Sequence, residues 1–234
     1  MKYYLPLLTA LVLCAGLCGC TPSEEPISAP EEPVSQPEVV LPLPDEVPVE
    51  EAPDFYEQVL MMYGAEEDPE TGTLYALPVG PLADAAVWDG PEAFTTGEAM
   101  GWFTSFIYSL SDEAKADRYA SPLGDGYGYF YPAAELEATV STYFEGVTPE
   151  MLRADTTLYR TAENGYQLPA LPEDGERTAV VLGEVDPEGD LRHIPLTLSA
   201  PDGTVTRLRL TIRLAADGSG YQFVRCVPDT AVAL

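Results

Sequence analysis

Hydrophobic residues in this chain follow two rhythms. Up to about residue 152 they recur three and four apart, as on one face of a helix. From about 159 onward they alternate with polar residues, as on a strand. In the front half, Phe55, Val59 and Met62 share a helical face behind Asp54 and Glu57, which read as a capping box, and Gly64 ends the run. Thr95 and Glu98 form a second box ahead of Met100, Phe103, Ile107 and Leu110. Trp102 and Phe106 widen that stripe and predict a deeply buried helix. A third helix is expected from Pro132, a favoured first-turn residue, with Leu136, Val140, Tyr143 and Phe144 turned inward. Thr148-Pro149 opens a short fourth turn through Met151 and Leu152.

The back half predicts a hairpin over 159–168 around Glu163-Asn164-Gly165, then strands at roughly 177–185, 191–199, 204–214 and 220–227. Asp186-Pro187-Glu188-Gly189-Asp190, Pro201-Asp202-Gly203 and Ala216-Asp217-Gly218-Ser219 separate them with turn chemistry. In the third run Leu208, Leu210, Ile212 and Leu214 face one way and Arg207, Arg209, Thr211 and Arg213 the other. One sheet face must be covered, and the preceding helices are the available cover. The expectation is an α+β fold, with N-terminal helices packed on a C-terminal antiparallel β-meander as a sandwich or cone-shaped roll. By element order alone this resembles nuclear-transport-factor-like and cystatin-like folds. The run Glu70 to Pro78 echoes Glu163 to Pro169, which two independent hairpin turns explain.

The first twenty residues obey neither rhythm. Lys2 is followed by an apolar stretch from Leu5 to Leu17, too short for a membrane span of about 20 residues. It ends in Leu17-Cys18-Gly19-Cys20. Those residues resemble the lipobox of bacterial lipoproteins. The resemblance implies a signal peptide over 1–19, cleavage before Cys20 and lipidation of Cys20, hence an anchor on the extracytoplasmic face of the cell membrane. Residues 21–53 contain nine prolines and nine acidic residues, with no basic residue and no glycine. Proline removes backbone donors and like charges repel, so a disordered, extended linker is expected over 20–53. Val39-Val40-Leu41-Pro42-Leu43-Pro44 is its more apolar stretch. Signal and stalk together resemble those of uncharacterised surface lipoproteins of Gram-positive anaerobes.

Residues 54–234 are enough for one domain with a substantial core. The chain carries 39 acidic and 11 basic residues, a formal charge of −28. Such a surface repels nucleic acid and anionic head groups, so nucleic acid is not an expected partner. Of the four cysteines, Cys14 and Cys18 fall in the signal and Cys20 is the lipid acceptor, which leaves Cys226 within an apolar strand and no internal disulfide.

Motifs for chemistry are sparse. The chain has one histidine, no G-x-S-x-G elbow, no phosphate loop and no dinucleotide turn, and no cofactor is implied. His193 is expected opposite the Ile194, Leu196 and Leu198 face, beside Thr197 and Ser199, as a surface or packing residue. Asp186, Glu188 and Asp190 read as a turn rather than a calcium loop, so no metal site is assigned. Two features remain as possible ligand-binding surfaces. Arg207, Arg209 and Arg213 share a strand face and suit carboxylates or other anions, with Arg225, Tyr221 and Phe223 nearby. Tyr127, Tyr129 and Tyr131 alternate within a glycine-rich stretch and suit sugar or peptide contacts. The leading expectation is a non-catalytic binding module with a cell-wall, glycan or protein partner. The alternative is a hydrolase of wall or glycan material working through a carboxylate pair.

Overall fold

The computed structural model describes residues 55–124, 128–168 and 177–230. The chain divides into two units, Met1–Leu43 and Pro44–Leu234, and every described residue belongs to the second. Cys20, the 21–53 stalk, Asp54 of the first capping box and Tyr127 lie outside the described residues.

Helices and short strands come first: α1 Phe55–Met62, β1 Ala65–Glu67, β2 Leu74–Ala76, α2 Thr96–Phe106, α3 Asp112–Tyr119, β3 Phe130–Pro132, α4 Ala133–Tyr143 and α5 Pro149–Arg153. Strands follow: β4 Tyr159–Arg160, β5 Gly165–Gln167, β6 Ala179–Leu182, β7 Asp186–Glu188, β8 Leu191–Ser199, β9 Val205–Leu214 and β10 Tyr221–Pro228. A seven-stranded sheet runs β1-β2-β6-β8-β9-β10, with β7 also paired to β8, and a small second sheet runs β3-β5-β4. All the strand pairs in both sheets are antiparallel. The α+β class and the terminal meander are as the sequence predicts.

Local chemistry accounts for the element ends. Thr95 Oγ1 accepts from the Glu98 amide at 3.2 Å and Glu98 Oε2 accepts from the Thr95 amide at 2.6 Å, so the second capping box forms in full. Gly64 ends α1 at φ +111°, a conformation that a side chain would strain. Pro132 caps α4 from outside instead of occupying its first turn. The Pro201-Asp202-Gly203 turn joins β8 to β9, with Asp202 accepting from the Thr204 amide at 2.8 Å.

The sequence missed α3, because only Tyr119 of its eight residues is buried and no apolar stripe marks it. Its signal is the cap: Ser111 accepts from the Ala114 amide at 3.1 Å. The Asp186–Glu188 segment, expected as turn, is strand β7, with Asp186 opposite His193 and Glu188 opposite Leu191. The tight turn is confined to Gly189-Asp190.

One face of the large sheet meets the helices. Val180, Ile194, Leu196, Leu198, Leu208, Leu210, Ile212 and Phe223 join Trp102, Phe103, Leu136 and Val140 in a single core. Its centre is aromatic. The Phe144 ring lies 4.2 Å from Phe94, 4.9 Å from Trp102, 5.1 Å from Phe223 and 5.6 Å from Trp88. Two loop segments close the outer edge of β10. The Trp88 and Cys226 backbones exchange bonds of 2.8 and 2.9 Å, and the Glu145 amide donates to the Phe223 carbonyl at 2.9 Å.

Tyr63, Tyr119, Tyr131 and Tyr166 are fully buried, and burial is the main cause raising each phenol above its ordinary value. A phenol held neutral in the fold stabilises it below the unfolded value of about 10, and that contribution is lost as the pH rises above it. Alkaline titration followed at 295 nm should therefore show these four ionising in one late, slow step together with loss of near-ultraviolet dichroism. Smooth ionisation with the dichroism intact would contradict this.

Candidate functional site

Alternation along β9 places its arginines on the sheet face opposite the core, and register extends that face across neighbouring strands. One row reads Glu66, Tyr75, Ala179, Ser199, Val205. The next reads Val181, Thr197, Arg207, and beyond it come Pro195, Arg209, Val227. A further row is Asp186, His193, Thr211, Arg225, and the last is Glu188, Leu191, Arg213, Gln222.

The arginine row is split by its partners. Arg209 bonds Asp229 at 2.9 Å, and Arg213 bonds Glu145 at 2.7 Å and Asp190 at 2.8 Å. Arg225 lies 3.6 Å from Asp89. The Arg213 guanidinium holds the Asp190 carboxyl below its usual range. Arg209 and Arg213 are therefore occupied by the protein's own acids, and the expected anion patch does not extend over them. Arg207 differs. It is exposed, and among the described residues no carboxylate oxygen comes within 4.0 Å of its guanidinium. Beside it stand the most exposed large hydrophobic residues described, Val181 at 57% and Val205 at 55%. Tyr75 closes the far side, its ring covered by the Arg177 guanidinium at 4.4 Å, and Arg177 in turn pairs with Glu66.

His193 sits in the closed half, buried and not at the surface. Its Nε2 lies 3.0 Å from Glu188 Oε2 and its Nδ1 3.1 Å from Thr211 Oγ1. An ionised carboxylate only accepts, so Nε2–H donates to Glu188 and, in the neutral ring, Nδ1 accepts from the Thr211 hydroxyl. Carboxylate, imidazole and hydroxyl are thus aligned in the order of a hydrolase triad. The hydroxyl is at the sealed end: Thr211 is 1% exposed, and no substrate carbonyl can reach it. The arrangement is a structural tie between β7, β8 and β9.

The tyrosines separate as well. Tyr131 belongs to the core, 0% exposed, with its hydroxyl 2.8 Å from Thr104, whose own proton goes to the Met100 carbonyl at 2.7 Å. It is unavailable to a ligand because its ring is needed between Phe103 and Tyr119, at 5.0 and 5.2 Å. Tyr129 is half-buried against the same core. The two best-placed carboxylates of the helical layer are also taken. Glu137, 4% exposed, is gripped by Arg153 Nε and Nη2 at 2.6 Å each and by the Tyr166 hydroxyl at 2.8 Å. Glu135 accepts from Arg118 and from the Tyr119 hydroxyl. Neither is free to act as an acid or a base.

Among the described residues no group of three or more His, Cys, Asp or Glu side chains is placed to hold a metal ion, and no helix is long and apolar enough to cross a membrane. Cys226 is a buried free thiol that burial pushes up to about 12, so at neutral pH it is no nucleophile.

Sequence reasoning found Arg207 but missed its surroundings. Val181, Thr197, Ser199 and Tyr75 reach the same patch only through strand register, and a valine at an outward position in two separate strands was the available signal. No protein-family model matches the chain, and no curated protein or solved structure does either.

Proposed function

We propose that this protein is a non-catalytic binding module, lipid-tethered to the extracytoplasmic face of a bacterial membrane, that works through the open half of its outer sheet face. The observation that carries the binding reading is the split of the arginine row. Three arginines are neutralised internally, while Arg207 is left exposed on the same face as two outward valines, Val205 on its own strand and Val181 two strands away. A surface of this kind offers one fixed charge and flat apolar contact, which suits recognition. The closed half, where the histidine lies, has its reactive groups tied to one another. The tether rests on Leu17-Cys18-Gly19-Cys20 and the acidic, proline-rich residues that follow.

Expression in a bacterial host with labelled palmitate tests the tether. The wild-type chain should take up label and sediment with membranes, and Cys20→Ser should do neither. Equal labelling of both would remove the anchor from the proposal.

A further inference from the structure

Resting on that reading, we infer that the open half of the outer face takes a short, extended peptide bearing aspartate or glutamate side chains. Size limits what this patch can hold. Four strands about 4.8 Å apart, over about four residues of 3.3 Å rise, give a patch of about 250 Å². A stable second copy of the chain would need about 800 Å² from each partner, so the patch is too small for a dimer. It is long enough for about four to six extended residues.

Shape and chemistry narrow the occupant further. Ala179 and Ser199 are the smallest side chains of their row and lie between Tyr75 on one side and Val205 on the other. They make the low part of the face, with Val181, Thr197 and Arg207 in the row beside them. Sugar rings bind by stacking on open aromatic faces. Among the described residues the one aromatic ring here, Tyr75, is already covered by Arg177, which is itself held by Glu66. A glycan therefore finds no platform. An extended peptide does not need one: its side chains two residues apart all face the sheet, so that some can lie against Val181 or Val205 while another on the same side, a carboxylate, meets Arg207. Charge selects the same class, because Arg207 has no carboxylate within 4.0 Å among the described residues. The rest of the strongly acidic molecule repels acidic ligands, so weak, salt-sensitive binding confined to this patch is expected.

The test uses the ¹⁵N-labelled full chain in non-ionic detergent and three probes. One is an acetylated, amidated hexapeptide with valine, glutamate and valine at its first, third and fifth positions and serine at the others, so that all three share one face, the second its glutamine counterpart, the third an oligogalacturonate as anionic glycan. The glutamate peptide should shift the amides of Val181, Thr197, Ser199, Val205 and Arg207, and the glutamine peptide should bind about tenfold more weakly. Arg207→Gln should weaken the glutamate peptide by the same factor, whereas Arg160→Gln, an exposed arginine of the other sheet, should leave it unchanged. Equal binding of the two peptides, an equal loss in both variants, or shifts elsewhere would overturn the inference. Binding of oligogalacturonate to these amides without binding of the peptide would overturn the peptide assignment while leaving the binding face standing. No shift on this face with any probe would overturn the inference and remove the support for the face as well.

Discussion

Phe144→Ala is expected to destabilise the domain by about 3–5 kcal/mol, the range for removing a fully buried phenylalanine. Against a usual total of about 5–15 kcal/mol, that removes a large share of the stability. The position explains the size of the effect. Phe144 follows α4 directly and is 0% exposed. Its ring touches Phe94 and Trp88 from the loop side, Trp102 from α2 and Phe223 from the sheet. A cavity there cannot collapse without moving three layers at once, because Glu145, the next residue, is bonded through its backbone to Phe223. Urea unfolding followed by tryptophan fluorescence measures the change. A loss under 1 kcal/mol would mean that the aromatic centre is not packed as described.

The second large effect is asymmetric. Glu137 is almost wholly buried, whereas the Arg153 side chain is 44% exposed. Arg153→Ala strands a buried carboxylate, leaving the Tyr166 hydroxyl as its remaining side-chain partner among the described residues, and should cost clearly more than the change at Glu137. Glu137→Gln instead leaves Arg153 free to turn toward water and keeps an acceptor for Tyr166. Its cost should be about 1 kcal/mol, and less of it is electrostatic because the guanidinium is partly screened. A double-mutant cycle would separate the terms. Equal costs for the two single substitutions would refute the asymmetry.

The sequence foretold the elements whose side chains face a continuous apolar surface. The Arg207–Arg213 alternation, the Thr95–Glu98 box and the separators of the long hairpins each record a local rule that no tertiary contact overrides. α3 escaped because it buries almost nothing, and β7 because a three-residue exposed strand reads as a turn. The site was legible only in part, and for a different reason. Alternation shows that arginines share a face, but not which of them meets a carboxylate. Glu145 reaches Arg213 from the end of α4 and Asp89 reaches Arg225 from a distant loop. Such pairings between far-apart residues decide which charges remain available, and they are set by how the layers pack. Tyr131 shows the same limit: alternation puts it on one side with Tyr129 as a possible ligand contact, yet pairing with Tyr166 in the small sheet draws it beneath α2.

The closure of β10 has a further consequence. The last strand of a sheet is normally where a second molecule can add its own backbone and begin a fibre. Here two crossing segments hold the donor and acceptor groups of Cys226 and the carbonyl of Phe223, and the opposite border is only three residues long with two glutamates. Crowded together, these molecules meet the large sheet with both of its described borders guarded. In the function proposed above, contact with a partner then falls to the broad face.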